Sequence, residues 1–330
     1  MELFRCPACG AALFFRNARC LCGAELAFDP RRRAFLTLGP DVAPCANRAA
    51  IACQWRAPEP GALCLSCAMT RTVPDTGIPD AAELWADAED AKRRVIANLM
   101  RWGFFTEADP HAPPVFDMLA ETGGDGVTMG HAAGVVTINV AEADPAVREA
   151  RRARLAERYR TMIGHFRHEL GHFVFDRLAA APGFPEAFRA LFGDERADYA
   201  AALEAHYARH PGSGDDDPPP PGFLTAYAAA HPHEDWAETF AHYLHLVEIC
   251  DSAARAGLRA PALVTAGGGG FDPYAPCPLD ALLDAAAELG VALNHVNRAM
   301  GLADLYPFVL TAPIRAKLGF VHDWIERAAR

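Results

Sequence analysis

The alternation of apolar and polar residues predicts a chain with a small sheet in its first half and helices in its second. Apolar residues recur at helical spacing across Ala81–Trp102 and again around 159–180. Two short runs between them have strand character, at Val115–Leu119 and Val127–Met129. The clearest strand is Gly134–Val140, in which valine and isoleucine alternate with threonine and asparagine. Strands followed by a run of helices predict an α+β fold.

Start and stop signals divide the second half into separate helices. Asp144 followed by Pro145 is a helix start, because aspartate accepts hydrogen bonds from first-turn amides and proline fits the first helical position. One helix from there to Ala180 would be long for a compact domain, so we expect a break between Glu157 and Gly164. Further helical patterns, the first of them as one or two helices, cover 185–210, 231–248 and 279–330.

The strand at Gly134–Val140 allows two interpretations. Its polar face, with Thr137 and Asn139, is consistent with a sheet edge that pairs with an extended substrate. It is equally consistent with an ordinary amphipathic strand inside a sheet. The sequence does not decide between the two.

The segment Met162–Asp176, MIGHFRHELGHFVFD, carries the strongest chemical signal. It contains H-E-x-x-H at His168, Glu169 and His172, and on a helix the two imidazoles lie one turn apart on the same face. His165 falls on that face too. The opposite face of the helix is apolar, with Ile163, Phe166, Leu170 and Phe173. A helix with this division of residues predicts a zinc site on its polar side.

A catalytic zinc needs a third protein ligand and an open position for water. The metzincin pattern is excluded, because it requires glycine and histidine where this chain has Phe175 and Leu178. The helical segment 231–248 offers Glu234 as the third ligand, with Glu238 one turn later to hydrogen-bond the far nitrogen of a ligating histidine. The other candidates for the third ligand are, in order, Glu238, His233, His231 and Asp198.

Eight of the ten cysteines precede residue 68, with the spacing of metal ligands rather than of disulfides. They form two sets of four: Cys6, Cys9, Cys20, Cys22 and Cys45, Cys53, Cys64, Cys67. Four thiolates around zinc make a closed, structural site. Iron–sulfur or redox chemistry stays open as an alternative, and so does a cross-braced pairing of the same cysteines. Cys250 and Cys277 stand apart and are interpreted as ordinary cysteines.

This distribution predicts two domains. Residues 1–72 have few apolar side chains and would fold around their metals, and the linker TVPDTGIPD begins at the end of this segment. Residues 73–330 would then form a mainly helical domain with a short sheet. We expect two structural zinc ions in the first domain and one catalytic zinc ion in the second.

Composition narrows the choice of partners. The chain has 330 residues, of which 51% are apolar and 22% charged, as in a globular protein with a large core. Its net charge of −11 disfavours nucleic acid, and the bound zinc–thiolate groups would offset the arginine excess of residues 1–72. The N-terminus lacks a signal-peptide pattern and no run of apolar residues is long enough for a membrane span, so we expect a cytoplasmic protein without a membrane partner.

The motifs HFRHELGH and HEDWAETFAHYLH, preceded by CPACG, CLCG, PCAN and CLSCAMTRT, resemble the zinc-binding metallopeptidases of bacteria that carry an N-terminal zinc ribbon. More distantly, EDWAETF is similar to the glutamate-ligand helix of lethal-factor-type gluzincins. The resemblance implies a zincin-like peptidase domain, with Glu234 as ligand and Glu238 behind the histidine. It also implies Tyr227 as a catalytic tyrosine. The match covers nearly the whole chain.

The function expected from these residues is zinc-dependent hydrolysis of peptide bonds, with Glu169 as general base and a peptide or protein as substrate. Two other functions stay open. The zinc site could serve a catalytically silent module that binds peptides or proteins. Alternatively, the zinc ribbon could be a docking module for a protein partner or nucleic acid, with the zincin domain as its passenger.

Overall fold

The structure is a computed structural model that describes residues 3–121, 126–155, 157–209, 219–258 and 271–328. Its chain divides into two compact units. The first comprises Met1–Arg148 and Thr161–Phe166, and the second comprises Glu149–Arg160 and Arg167–Arg330. The boundary expected between 1–72 and 73–330 stays a prediction.

The first unit begins with two pairs of antiparallel strands. β1 (Phe4–Arg5) pairs with β2 (Ala12–Leu13), and β3 (Leu26–Asp29) pairs with β4 (Ala34–Thr37). Two short helices follow, α1 (Arg48–Ile51) and α2 (Leu65–Ala68). The ring of Phe28 is central here, because four aromatic rings lie 5.0–6.0 Å from it: Phe4, Phe15, Phe35 and Trp55. This small aromatic core supplements the metal-binding cysteines.

A four-stranded mixed sheet completes the strands of this unit. Its members are β5 (Thr70–Thr72), β6 (Val115–Leu119), β7 (Gly130–Ala132) and β8 (Val135–Asn139), in the order β5-β6-β8-β7. β8 runs parallel to β6 and antiparallel to β7. Because both sides of β8 are hydrogen-bonded, the interpretation of this strand as a free sheet edge is wrong.

The strand expected at Val127–Met129 is also wrong in position. No strand covers the described residues 126–129, and β7 begins at Gly130. A turn at Ala133 and Gly134, both with positive φ, reverses the chain and pairs Ala132 with Val135. The turn sets the register, which the apolar pattern could not show.

The helix α3 (Ala81–Met100) carries buried charges. Glu89 and Lys92 are both fully buried and form an ion pair at 2.9 Å. The Thr70 hydroxyl donates to Glu89 Oε1 at 2.6 Å and accepts a hydrogen bond from Lys92 Nζ. α3 packs against α1, α2 and the 3-10 helix Val140–Ala143. These charged side chains are therefore part of the interior of the first unit.

Helices make up the second unit, and two of them, α4 and α5, begin in the first. They are α4 (Pro145–Arg154), α5 (Met162–Leu178), α6 (Phe184–Phe192), α7 (Tyr199–Arg209), α8 (Pro232–Arg255), α9 (Leu279–Ala299) and α10 (Ala312–Ala328). The expected break between α4 and α5 is present, and Asp144 accepts a hydrogen bond from the Ala146 amide at 2.7 Å. The pattern over 185–210 resolves into α6 and α7.

The helix α8 is the centre of the second unit and packs against α6, α9 and α10. It approaches α5 most closely at Gly171, where an added Cβ would lie 3.1 Å from Ala237 Cα and 3.2 Å from Phe240. The Trp236 indole donates a hydrogen bond to the Gly171 carbonyl at 2.8 Å. Glycine therefore lets the two helices touch through their backbones.

The expected α+β fold is confirmed: cysteine clusters and small sheets come first, and a mainly helical region with a small mixed sheet follows. Among the helices in the described part of the chain, none combines the length and the hydropathy needed to cross a membrane.

Candidate metal centre

Eight cysteines gather into two clusters, and the clusters follow chain order. Cys6, Cys9, Cys20 and Cys22 form the first cluster, and Cys45, Cys53, Cys64 and Cys67 form the second. Their sulfur atoms lie 3.7–3.9 Å apart where they contact. Zinc–sulfur bonds of about 2.3 Å in a tetrahedron place sulfurs about 3.8 Å apart, so both clusters fit zinc. The cross-braced alternative does not occur.

The two clusters differ in burial. Cys9 and Cys22 of the first are exposed, whereas all four cysteines of the second are buried. In the second cluster the Cys64 amide donates to Cys45 Sγ at 3.3 Å, and the Cys67 amide donates to Cys64 Sγ at 3.4 Å. These backbone bonds favour thiolates, because an N–H donor stabilises negative charge on sulfur. All ten cysteines of the chain are free of disulfides.

A third group of ligand atoms lies between α5 and α8 in the second unit. His168 Nε2 lies 3.2 Å from His172 Nε2 and 3.0 Å from Glu234 Oε2. His172 Nε2 lies 3.5 Å from Glu234 Oε1. Ligand atoms in a tetrahedron with bonds of about 2.0–2.2 Å are about 3.4 Å apart. His168, His172 and Glu234 therefore form a candidate zinc site.

Local structure explains how these side chains meet. The two histidines are one helical turn apart on α5, so their imidazoles share a face. Glu234 lies in the first turn of α8, after Pro232 and His233, where the helix dipole favours a negative charge. Burial acts to raise the pKa of Glu234, but hydrogen bonds from the two histidines hold this pKa far below its usual value, so the carboxylate is ionised.

A carboxylate lies behind the first histidine. Glu238 Oε1 is 2.8 Å from Nδ1 of His168, and its Oε2 accepts a hydrogen bond from the Thr225 hydroxyl at 3.1 Å. With Nδ1 donating to Glu238, Nε2 of His168 keeps its lone pair for a metal. The sequence assigned this role to Glu238, and the role stays a prediction.

The other candidates for the third ligand lie elsewhere. His231 is the N-cap of α8, where its Nδ1 accepts from the His233 amide, and its Nε2 is 3.2 Å from the Ala197 carbonyl. The His233 ring packs against Phe175, with ring centroids 4.6 Å apart. Asp198 accepts a hydrogen bond from the Ala201 amide at the start of α7. These three side chains do not join the metal-binding group.

Glu169 stands beside the ligands with an unused oxygen. Its side chain is 7% exposed, and its Oε2 is buried without a hydrogen-bond partner. Burial raises the pKa of Glu169, and the neighbouring histidines act in the opposite direction. Glu234 Oε2 is buried as well, with His168 Nε2 at 3.0 Å as its polar neighbour. An orphaned carboxylate oxygen such as that of Glu169 is costly unless a metal, water or substrate completes it, which fits a zinc-binding reaction site.

Two tyrosines complete the site, and sequence reasoning found one of them. The ring of Tyr227 lies 6.1 Å from that of His168. Tyr199, at the start of α7, donates its hydroxyl to Glu234 Oε1 at 2.6 Å. Burial raises the pKa of both phenols, so both hydroxyls stay protonated as donors. Tyr199 lies 35 residues before Glu234, and no motif in the sequence connects them.

Comparison with known proteins agrees with this geometry. A family model described as "Putative zinc-binding metallo-peptidase" matches residues 81–324, and a zinc-ribbon domain model matches residues 3–78. The chain therefore belongs to this zinc-binding metallopeptidase family with an N-terminal zinc ribbon, as the resemblance of its motifs indicated.

Similar curated proteins include uncharacterized proteins of Mycobacterium bovis and of two strains of Mycobacterium tuberculosis. Each is 42% identical over 341 residues, which cover 100% of this chain and 96% of the relative. No solved structure matches the chain.

Proposed function

We propose that the protein is a zinc-dependent peptidase of the gluzincin type, in which His168, His172 and Glu234 hold the metal. One observation carries the proposal: the buried, unpaired Oε2 of Glu169 lies on the helix that supplies both histidines. A site that only bound zinc would have no need of a second carboxylate with a free oxygen beside the ligands.

In this proposal Glu169 moves protons. Zinc, when bound, supplies a Lewis acid that activates water and polarises the scissile carbonyl. The carboxylate of Glu169 takes a proton from the attacking water and passes it to the leaving amine. Its burial supports this role, because a raised pKa brings a carboxylate closer to the pH at which a base can also return its proton.

Tyr227 donates a hydrogen bond to the oxyanion that the substrate carbonyl becomes. Its position near His168 supports this role. Tyr199 holds Glu234 through Oε1.

The proposal also covers the substrate, the cellular compartment and the role of the zinc ribbon. The substrate is a peptide or protein, and the compartment is the cytoplasm, where the cysteines stay reduced. The two cysteine clusters hold structural zinc, and the zinc ribbon is available to a protein partner. The charge of −11 supports neither nucleic acid nor an anionic membrane as a partner.

The test compares wild type with Glu169→Gln on a peptide library, with products read by mass spectrometry. Glutamine keeps the shape of the side chain but cannot accept a proton, so hydrolysis should fall by about 10²- to 10⁴-fold while the zinc content is unchanged. Glu186→Gln, at an exposed position of α6, is the matched control and should keep full activity.

Wild type that binds peptides as tightly as Glu169→Gln does but cleaves none of the library would contradict the peptidase. That result would favour a catalytically silent peptide-binding module. If no peptide binds to wild type or to Glu169→Gln, the result would instead favour the zinc ribbon as a docking module.

A further inference from the structure

Arg167, the residue before His168, is a buried cation without a carboxylate partner. Its side chain is 4% exposed. Within the described residues its guanidinium makes one hydrogen bond, from Nη1 to Nδ1 of His245, and its Nε is buried without any partner. No ion pair in that part of the chain includes it. The buried Lys92 and Lys317, by contrast, each contact an acid, Glu89 and Asp235 respectively.

The groups around Arg167 are neutral and aromatic. His245 accepts the hydrogen bond from Arg167, and burial together with this guanidinium holds the pKa of His245 well below its usual value. The His245 ring lies 4.8 Å from Tyr159 and 5.3 Å from His242. Burial lowers the pKa of His242 to about 4, so this ring is neutral as well. The half-buried rings of Tyr159 and Phe308 lie 6.4 Å apart beside this group.

A buried arginine with an unpaired Nε and, among the described residues, no ion pair to an acid carries a charge without a direct partner. Such a charge is strongly unfavourable in a protein interior, whereas a bidentate carboxylate would satisfy it. An anion that comes from outside the described residues would complete this pair.

We propose that Arg167 is a carboxylate-binding subsite for the substrate of the adjacent zinc centre. The proposal rests on the proposed peptidase function. Because Arg167 and His168 are neighbours on α5, their Cα atoms are about 3.8 Å apart and their side chains diverge by about 100° around the helix. The guanidinium and the His168 imidazole then lie on the order of 10 Å apart.

That separation sets the position of the carboxylate along the peptide. An extended chain advances about 3.3 Å per residue, so the carboxylate lies roughly three residues from the scissile bond. A peptide carries carboxylates in two places, on its acidic side chains and at its C-terminus. An acidic side chain would make the enzyme selective for Asp or Glu at that position. The α-carboxylate would make it release short peptides from the C-terminus of its substrate.

The first measurement is peptide binding, with the zinc-loaded Glu169→Gln protein so that nothing is hydrolysed. Two pairs of peptides separate the sources: one pair has a free or amidated C-terminus, and the other has Glu or Gln three residues from the cleaved bond. One pair should show a preference for the acid of about 10- to 100-fold, as expected for hydrogen bonds to a charged group. The preference should disappear when Arg167→Met is added. It should persist in part with Arg167→Lys, because lysine keeps the positive charge but lacks the paired donors of the guanidinium.

Arg177→Met is the matched control. Arg177 lies on the same helix and stacks on the Phe173 ring, so its loss should leave the preference for the acid intact. Equal affinity for acid and neutral peptides in both pairs, or a preference that survives Arg167→Met, overturns the subsite even if the protein cleaves peptides. If the preference depends on Arg167 but the wild-type protein hydrolyses no peptide, the subsite is supported and the proposed peptidase activity is contradicted.

Thermal unfolding gives a second readout. A subsite residue is not selected for stability, so Arg167→Met should melt at the temperature of wild type or above it. A structural arginine would do the opposite, because its loss would leave His245 without its donor. A melting temperature that falls further than that of Arg177→Met contradicts the proposal.

Discussion

In the second cysteine cluster every metal-binding atom faces three others of its kind, and all four side chains are buried. The group on α5 and α8 brings only three ligand atoms together, and beside them lies a carboxylate oxygen without a partner. Four ligands complete a tetrahedron and leave no position for a reactant, whereas three ligands leave one. If the proposed function holds, one chain uses the same metal for folding in one region and for chemistry in the other.

Removing a thiolate should have the largest effect. Cys64→Ser takes one ligand from the wholly buried second cluster, and structural zinc contributes about 10 kcal/mol or more to folding. We expect loss of one zinc ion and of cooperative unfolding in the first unit, measured by metal analysis and hydrogen exchange. Cys9→Ser, at an exposed ligand of the first cluster, should be milder because water can replace the lost sulfur.

Cys277→Ser is the control for the cysteine variants. Cys277 belongs to neither cluster, so this variant should keep both the zinc content and the exchange pattern of wild type. A Cys64→Ser protein with full zinc content and unchanged exchange would show that the second cluster does not depend on metal. The second cluster would then not be a closed structural zinc site.

His172→Ala should give the next largest effect, on zinc content and hydrolysis rather than on folding. It removes one of three ligands, so the zinc content should fall from about three ions per chain to about two and hydrolysis should be lost. Folding of the first unit should be unaffected, as seen by hydrogen exchange of the residues around the cysteine clusters. Loss of cysteine-bound zinc in this variant would mean that the two kinds of site are not independent.

The tyrosines should give a graded effect within the reactive site. Tyr227→Phe should retain zinc and lower kcat by roughly 10²- to 10³-fold, as for the loss of one oxyanion donor. Tyr199→Phe should lower zinc affinity by about 10-fold, because its hydroxyl holds a metal-binding carboxylate. Steady-state kinetics and competition with a zinc chelator measure the two effects. The reverse assignment, with the larger kcat loss in Tyr199→Phe, would make Tyr199 the oxyanion donor.

His242 should give the smallest effect, through pH. Burial lowers its pKa to about 4, whereas an unfolded histidine has a pKa of about 6.5. As the pH falls below 6.5 the unfolded state takes up the proton first, so stability is lost between pH 6.5 and 4. His242→Asn should reduce the loss of unfolding free energy between pH 7 and 5 by about 2 kcal/mol. His295→Asn, at an exposed position, is the control and should leave the change in unfolding free energy between pH 7 and 5 unaltered. Chemical unfolding at the two pH values measures both variants.

Features set by local spacing could be predicted from the sequence. The turn of α5 puts His168 and His172 on one face whatever surrounds the helix, and Asp144 and Pro145 mark a helix start through their own backbone chemistry. The cysteine sets follow from short spacings in the same way. Glu234 required one further step, because its helix is far along the chain and the segment 231–248 also offered Glu238, His233 and His231 as ligands.

Features set by tertiary packing could not be predicted. Tyr199 meets Glu234 only because α7 returns to the start of α8, and its segment has no pattern that announces a polar contact. The apolar spacing of α3 gave no sign that Glu89 and Lys92 form an ion pair in the interior. The partners of β8 depend on the turn before it, which periodicity does not encode.

The contact at Gly171 has an evolutionary consequence. A side chain at this position would collide with Ala237 on the facing helix, and any separation of the helices would carry Glu234 away from the two histidines. The atoms of residue 237 that an added Cβ would meet are backbone atoms, which every residue carries, so no substitution at 237 makes room for it. Glycine should therefore persist at position 171 wherever the ligand geometry is kept. The spacer within H-E-x-x-H thus inherits a constraint from a helix that lies more than sixty residues later in the chain.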